Sequence, residues 1–239
     1  MLKQWMVVLG AMLAVGCASA DEDSLKKAIE STFPTAKVQN ISKTPFAGLY
    51  EVLVNGQIVY TDEKFSFMLA EGRLIDTKTR KDLTSERLED LMRVDFKSLP
   101  LEQAIKVVRG DGSRKLVVFS DPDCPFCKRL EQKELVGMTN VTIYTFLFPL
   151  EQLHPNAAEK AHAIWCAPDR VKAWEDWVLN NKLAKKTAGC EAPLGKIAEV
   201  ANKLGITSTP MLIFSDGKRL AGAYPANEIE KALNTAAGR

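Results

Sequence analysis

Apolar residues in the first third of the chain lie in short runs separated by turn-forming residues, which predicts a small unit of one helix and several strands. Asn55-Gly56 predicts a two-residue hairpin turn, because both residues tolerate the positive φ of a type I′ turn. The unit is expected to end near Asp82. Its predicted elements are a helix at residues 23–33 and strands at 49–54, 57–61, 64–69 and 73–76.

The predicted strands of this unit carry apolar side chains on both faces. At 49–54, Leu49 and Leu53 lie on one face. Tyr50, Val52 and Val54 lie on the other. Because so small a unit has little core of its own, we expect one of these faces to be buried against another subunit.

A helix is predicted next, beginning with Thr84 or Ser85 as its cap and running toward Val94. Its apolar stripe consists of Leu88, Leu91 and Met92. The stripe fits a surface helix packed on its neighbour and equally a helix that links two domains, and the sequence does not choose between them.

The remaining part of the chain, from Leu101 onward, predicts an α/β order of elements. Residues 141–148 are almost continuously apolar, which is typical of a central strand covered on both faces. The helices between this strand and the last two strands form a helical insertion. The predicted elements are strands at 104–108 and 115–120, a helix from Cys124, a strand at 141–148, helices at 156–165, 168–179 and 194–204, strands at 211–215 and 219–221, and a helix at 227–236.

The run Cys124-Pro125-Phe126-Cys127 follows the apolar strand at 115–120 and indicates redox chemistry. A cysteine at a helix start faces unpaired backbone N–H groups, which favour the thiolate and lower the thiol pKa. Cys124 is therefore the predicted nucleophile, and we expect it to be exposed. Cys127 lies one turn deeper on the same face, where it can attack a mixed disulfide formed at Cys124.

Two other interpretations of the cysteine pair are weaker. A structural zinc site needs four ligands, and the other candidates form no second close pair. A static disulfide across so short a loop stabilises little. The remaining candidate metal ligands are Cys166, Cys190, His154 and His162.

Thr209-Pro210 stands directly before the apolar run at 211–214. Proline cannot donate to a sheet ladder, so it belongs at a strand start, and a bond to proline is the one peptide bond that readily becomes cis. Taken alone, the ordinary interpretation is a proline at the entry to a strand.

Together, the strand, the CxxC helix and the Thr-Pro before a later strand resemble the thioredoxin fold. With an N-terminal unit, a predicted linker helix and a second cysteine pair after Ile164-Trp165, the chain is similar to the DsbC and DsbG family of periplasmic disulfide isomerases. It departs from DsbC at Pro125-Phe126, where DsbC has Gly-Tyr, and at Ser208, where the family loop commonly has glycine. Carried onto this sequence, the resemblance implies Cys124 as nucleophile, Cys127 as resolving thiol, a cis Pro210 preceded by Thr209 in the active-site loop that binds substrate, and a structural disulfide between Cys166 and Cys190.

The resemblance implies an α+β N-terminal dimerisation domain at 21–83, a linker helix at 84–100 and an α/β thioredoxin-fold domain with a helical insertion at 101–239. It also implies a homodimer that isomerises wrong disulfides in exported proteins and is kept reduced by an inner-membrane thiol reductase of the DsbD type. No organic cofactor or metal is required. Two alternatives remain open: a dithiol oxidant or reductase on the same fold, because Pro-Phe separates the cysteines, and a holdase chaperone with secondary thiol chemistry.

Residues 1–20 predict a secretory signal peptide, with Lys3, an apolar stretch and the ending Ala18-Ser19-Ala20 before Asp21. A lipid anchor at Cys17 is the alternative. The chain is therefore expected in the periplasm. With 32 Lys and Arg against 30 Asp and Glu, the charge gives no electrostatic reason to expect nucleic acid as a partner.

The helical insertion contains Trp165, Trp174 and Trp177, which are expected to pack in a core. His154 and His162 lack paired ligand spacing and are expected to be surface or satisfied histidines without a catalytic role.

Overall fold

The computed structural model describes residues 18–46, 48–185 and 187–238. The chain forms two compact units, Met1–Leu88 and Glu89–Arg239. The predicted signal peptide and the alternative lipid site at Cys17 lie outside the described residues, except for positions 18–20 at the start of the first helix. Over the described ranges, no helix combines the length and the apolar character needed to cross a membrane.

The first unit is a four-stranded antiparallel sheet with one helix, and its strands follow the order β1-β2-β3-β4. Asn55 and Gly56 both have positive φ and join β2 to β3, so the predicted hairpin is confirmed. The elements are α1 (Ala18–Thr32), β1 (Val38–Lys43), β2 (Tyr50–Val54), β3 (Gln57–Thr61) and β4 (Met68–Leu69).

Two strand predictions in this unit are wrong in extent. The strand predicted at 64–69 is reduced to β4, because Phe65 has a positive φ and the Asp62 carboxylate accepts a hydrogen bond from the Ser66 N–H, which makes a turn. The strand predicted at 73–76 is only a single bridge between Ile75 and Asp82.

Both faces of the central hairpin are buried within the chain itself, so the expectation that one face needs another subunit is wrong. On one face, α1 packs Leu25 and Ile29 against a cluster that includes Val52. On the other face, Leu53 is buried and the Tyr60 hydroxyl lies 2.6 Å from the Thr84 hydroxyl. The apolar surface that stays exposed instead includes Phe67, Met68 and Leu69 at the edge strand β4.

The predicted cap of the next helix is also different. This helix, α2 (Leu83–Leu91), begins after Asp82, whose carboxylate accepts the Ser85 N–H at 2.9 Å. The Thr84 hydroxyl instead forms a hydrogen bond with the Tyr60 hydroxyl.

The second unit is a five-stranded mixed sheet in the order β5-β7-β6-β8-β9, with β6 and β7 parallel and the other pairs antiparallel. The near-continuous apolar strand is β7, which is buried on both faces as predicted. The elements are β5 (Ile105–Arg109), β6 (Arg114–Ser120), α3 (Pro125–Arg129), β7 (Val141–Leu147), α4 (Ala157–Trp165), α5 (Arg170–Asn180), α6 (Leu194–Lys203), β8 (Met211–Phe214), β9 (Arg219–Ala221) and α7 (Ala226–Ala236).

The sheet of the second unit is covered on both sides. Alternate residues of β6 point to opposite faces, so Val117 joins a core cluster with Ile197 of α6, while Val118 joins one with Ile229 of α7. Val94, Phe96 and Leu99, from the segment predicted as a linker, belong to the α6 cluster. The three tryptophans of the insertion are buried, which confirms the packing interpretation: Trp165, Trp174 and Trp177.

Candidate active site

Cys124 lies where the central strand β6 gives way to a helix. It has an extended backbone conformation and caps α3, whose first residue is Pro125. Proline fits this position because its ring fixes a helical φ and the first helical N–H has no partner in any case. The Lys128 N–H closes the first turn by donating to the Cys124 carbonyl at 3.1 Å. The helix then continues as a π-helical turn at Leu130–Glu134.

The Thr209-Pro210 loop lies against the first cysteine. The Cys124 sulfur lies 3.5 Å from the Thr209 carbonyl oxygen, and the peptide bond between Thr209 and Pro210 is cis. Cys124 is only 5% exposed, so the exposure expected for a nucleophile at a helix start is wrong for this conformation. The neighbouring Phe126 is 59% exposed and presents an apolar ring to solvent.

The two sulfurs have opposite electrostatic surroundings. A hydrogen bond from the Cys127 thiol lowers the pKa of Cys124 to about 5, against the effect of burial. The backbone N–H groups of Cys127 and Phe126 and the Thr209 side chain act in the same direction. Cys127 is completely buried, and this burial, together with the adjacent Cys124 sulfur, raises its pKa above the ordinary thiol value.

Alkylation of the reduced protein is therefore expected to occur first at Cys124, with an inflection at about pH 5. At neutral pH the Cys124 thiolate fraction should be roughly 30-fold higher than that of an ordinary thiol with a pKa of about 8.5. Mass mapping of iodoacetamide adducts between pH 3 and pH 9 measures both quantities. First modification at Cys127 or Cys190, or an inflection at about 8.5, would contradict this assignment.

A buried carboxylate holds the loop that precedes Cys124. Asp121 is completely buried, and its carboxylate accepts the backbone N–H groups of Asp123 at 2.7 Å and Leu150 at 2.6 Å. Its Oδ2 also lies 3.0 Å from Nδ1 of His154. His154 is thus a satisfied histidine, as expected, while the role of Asp121 was not predicted. An acidic residue directly after a buried strand and three positions before the CxxC pair is the sequence signal that could have drawn attention to it.

The helical insertion also contacts this loop. The Trp177 indole N–H donates to the Pro122 carbonyl oxygen at 2.7 Å, and the Lys160 ammonium donates to the Asp123 carboxylate at 2.6 Å. Lys128 lies over the Trp177 ring, with its Nζ 4.2 Å from the ring centre. Trp177 therefore packs in the core and fixes the active-site loop through its polar edge. The sequence pattern predicted only the first of these roles.

The predicted site residues fall into two groups. Cys124, Cys127, Thr209 and Pro210 come together at the end of β6, whereas Cys166 and Cys190 are joined by a disulfide that ties the end of α4 to the coil before α6. Among the described residues, no three His, Cys, Asp or Glu side chains are grouped so that they could hold a metal ion.

Comparison with known proteins gives two family matches. Residues 16–85 match the disulfide bond isomerase protein N-terminal domain, and residues 101–237 match the thioredoxin-like domain. The chain is 41% identical over 211 residues to the probable thiol:disulfide interchange protein DsbC of Bordetella pertussis, covering 88% of this chain and 74% of that protein. It is 24% identical over 221 residues to the thiol:disulfide interchange protein DsbC of Escherichia coli K12, covering 92% and 90% respectively.

Among solved structures, the chain is similar to a disulfide interchange protein from Neisseria gonorrhoeae. The two are 43% identical and superpose with a TM-score of 0.55, over 58% of this chain and 99% of that one. Both kinds of comparison thus lead to thioredoxin-like proteins that exchange thiols and disulfides.

Proposed function

The chain belongs to the DsbC family of thiol:disulfide interchange proteins, and on that premise we propose that it isomerises wrong disulfides in exported proteins. The observation that carries the proposal is the contrast between the two sulfurs. Cys124 has a pKa of about 5 and is a thiolate at neutral pH, whereas burial keeps the Cys127 thiol protonated.

In the proposed reaction, the Cys124 thiolate attacks a wrong disulfide of the substrate and forms a mixed disulfide. A second substrate thiol then attacks this bond, which releases Cys124 and leaves the substrate with a new pairing. Cys127 acts when the complex stalls: it attacks Cys124 and releases a reduced substrate. The loop at Thr209 and Pro210 is proposed to bind the substrate chain beside Cys124.

Isomerisation requires Cys124 in the reduced form, so the protein needs an electron donor. We propose an inner-membrane thiol reductase of the DsbD type in this role. The low pKa of Cys124 supports an accessible reduced state, because stabilising the thiolate favours the dithiol over the disulfide. The alternative function, a net oxidant, rests on the same property, because a dithiol that is stabilised in its reduced form makes the corresponding disulfide a stronger oxidant.

We further propose that the protein works as a homodimer through the N-terminal domain at 21–83. The segment 84–100, expected as a linker, contributes Val94, Phe96 and Leu99 to the core of the second unit, so we propose that the catalytic domain includes these residues as well as 101–239. Two observations support the dimer. The N-terminal residues match a domain family of disulfide bond isomerases, and Phe67, Met68 and Leu69, at the edge of the four-stranded sheet, are 40 to 50% exposed.

The proposed site of action is the periplasm, reached by means of the signal peptide at 1–20. The disulfide between Cys166 and Cys190 supports an oxidising compartment, where such bonds persist. We propose that this disulfide is structural: its cysteines are 24 residues apart, and closing a loop of that size contributes about 3 kcal/mol in the loop-entropy model.

Reactivation of scrambled ribonuclease tests the proposed function. The reduced protein is expected to restore ribonuclease activity catalytically, in many turnovers per dimer. A holdase chaperone would instead suppress aggregation of a cysteine-free substrate and leave scrambled ribonuclease inactive. Equal protection of the cysteine-free substrate by wild type and Cys124→Ala, without reactivation by either, would replace isomerisation with the chaperone function.

A further inference from the structure

Two buried hydroxyl groups flank the sulfur pair without a hydrogen-bond partner of normal geometry. They are Ser120 Oγ, at the end of β6, and Thr209 Oγ1, beside Cys124. A buried hydroxyl without a partner destabilises the folded state, because it has lost its hydrogen bonds to water. Such a group in a native protein needs an explanation, and a partner that exists only during the reaction is one.

The Ser120 hydroxyl belongs to the surroundings of the resolving cysteine. Ser120 is 1% exposed, and its side chain acts on the Cys127 thiol in the direction that lowers the thiol pKa. The next residue supplies a second donor, because the Asp121 backbone N–H lies 3.4 Å from the Cys127 sulfur. The sulfur itself is fully buried, so solvent does not stabilise a negative charge on it.

The backbone donor is held in place by its own side chain. The Asp121 carboxylate accepts the Asp123 and Leu150 N–H groups and contacts His154, which fixes the turn that directs the Asp121 N–H at the sulfur. A donor positioned before the reaction stabilises a developing charge without reorganisation at the moment it forms.

We propose that the Ser120 hydroxyl and the Asp121 backbone N–H form a two-donor site that stabilises the Cys127 thiolate when it resolves a mixed disulfide. Cys127 first loses its proton to water. Its sulfur then attacks Cys124, the Cys124–Cys127 disulfide forms, and the bond from Cys124 to the substrate sulfur breaks. The substrate sulfur leaves with the electron pair and takes a proton from water, so the enzyme dithiol is oxidised and the substrate disulfide is reduced.

The test is the reaction of the reduced full-length protein with Ellman's reagent in a stopped-flow instrument. Attack by Cys124 releases a first thionitrobenzoate, and attack by Cys127 on the mixed disulfide releases a second one. Ser120→Ala is expected to slow the second release about ten-fold, because one hydrogen bond to a charged atom is lost. Ser120→Thr keeps the hydroxyl and is expected to restore most of the rate.

The matched control is the Cys127→Ala background, in which only the first release occurs. There, adding Ser120→Ala is expected to leave the first release unchanged within about two-fold relative to Cys127→Ala alone, since the Ser120 hydroxyl acts on the Cys127 sulfur and not on Cys124. A general loss of structure would slow both releases, and an unchanged second release in Ser120→Ala overturns the proposal, as does equal slowing of the first.

The inference rests on the proposed roles of Cys124 and Cys127. The experiment distinguishes a failure of those roles from a failure of the donor site alone. If the first release persists in Cys124→Ala, the assignment of the nucleophile fails. If that release is lost while the second release of Ser120→Ala equals that of the wild type, only the donor site fails.

Discussion

Cys124→Ala is expected to abolish all thiol-disulfide chemistry, whereas Cys127→Ala should retain measurable isomerisation. Attack on a substrate disulfide needs a thiolate only at Cys124, which the backbone N–H groups at the start of α3 still favour when the Cys127 thiol is removed, and a substrate thiol can release the enzyme. Cys127 is needed for net electron transfer and for escape from stalled complexes, so Cys127→Ala should also accumulate mixed disulfides.

Scrambled ribonuclease reactivation and non-reducing gels measure these two properties together. Cys190→Ala is unsuitable as a control because it breaks the second disulfide. The control is Ser208→Ala, which changes the residue before Thr209 and removes no cysteine. Should Cys127→Ala lose isomerisation as completely as Cys124→Ala, while the wild type rapidly oxidises reduced substrates, a net oxidant would replace the isomerase.

A fragment that begins at Glu89 is expected to be a folded monomer that keeps dithiol chemistry but loses isomerase activity by roughly ten-fold or more, since two sites and two binding surfaces no longer act together. The fragment should not begin at Leu101. Val94, Phe96 and Leu99 are part of the second unit's core, and the Val94 N–H donates to the Gly217 carbonyl at 3.0 Å.

Sedimentation equilibrium and the alkylation rate of Cys124 check the fragment. The full-length protein should be a dimer at micromolar concentration, and Met68→Lys at the exposed edge strand should shift it toward monomer while the Cys124 rate stays constant. A fragment that still dimerises, or a full-length protein that is already monomeric, would contradict the proposed architecture.

The sequence predicted the features that depend on local residue chemistry. Asn55-Gly56 determines its turn by backbone preference, and Pro125 is compatible with the first position of the helix that was predicted to begin at Cys124. The long apolar run of β7 predicted a central strand, because only a strand covered on both faces can bury it.

The remaining features depend on tertiary contacts that a single sequence does not contain. Strand β1 was not predicted, since Val38 and Ile41 are its only apolar residues and it is held by pairing with β2. The low exposure of Cys124 arises from a loop 85 residues away in the chain. In the sequence, Ser120 is an ordinary strand residue, and its relation to the Cys127 sulfur is known only from the structure.

The central claim, that the protein rearranges disulfides rather than making or removing them, is tested most directly by the free thiol content of scrambled ribonuclease while its activity returns. With catalytic amounts of the reduced protein and no other redox reagent, we predict that activity rises while the number of substrate disulfides stays constant. Activity that returns only as substrate thiols first appear in stoichiometric excess, or only when an oxidant is added to reduced ribonuclease, would contradict the account.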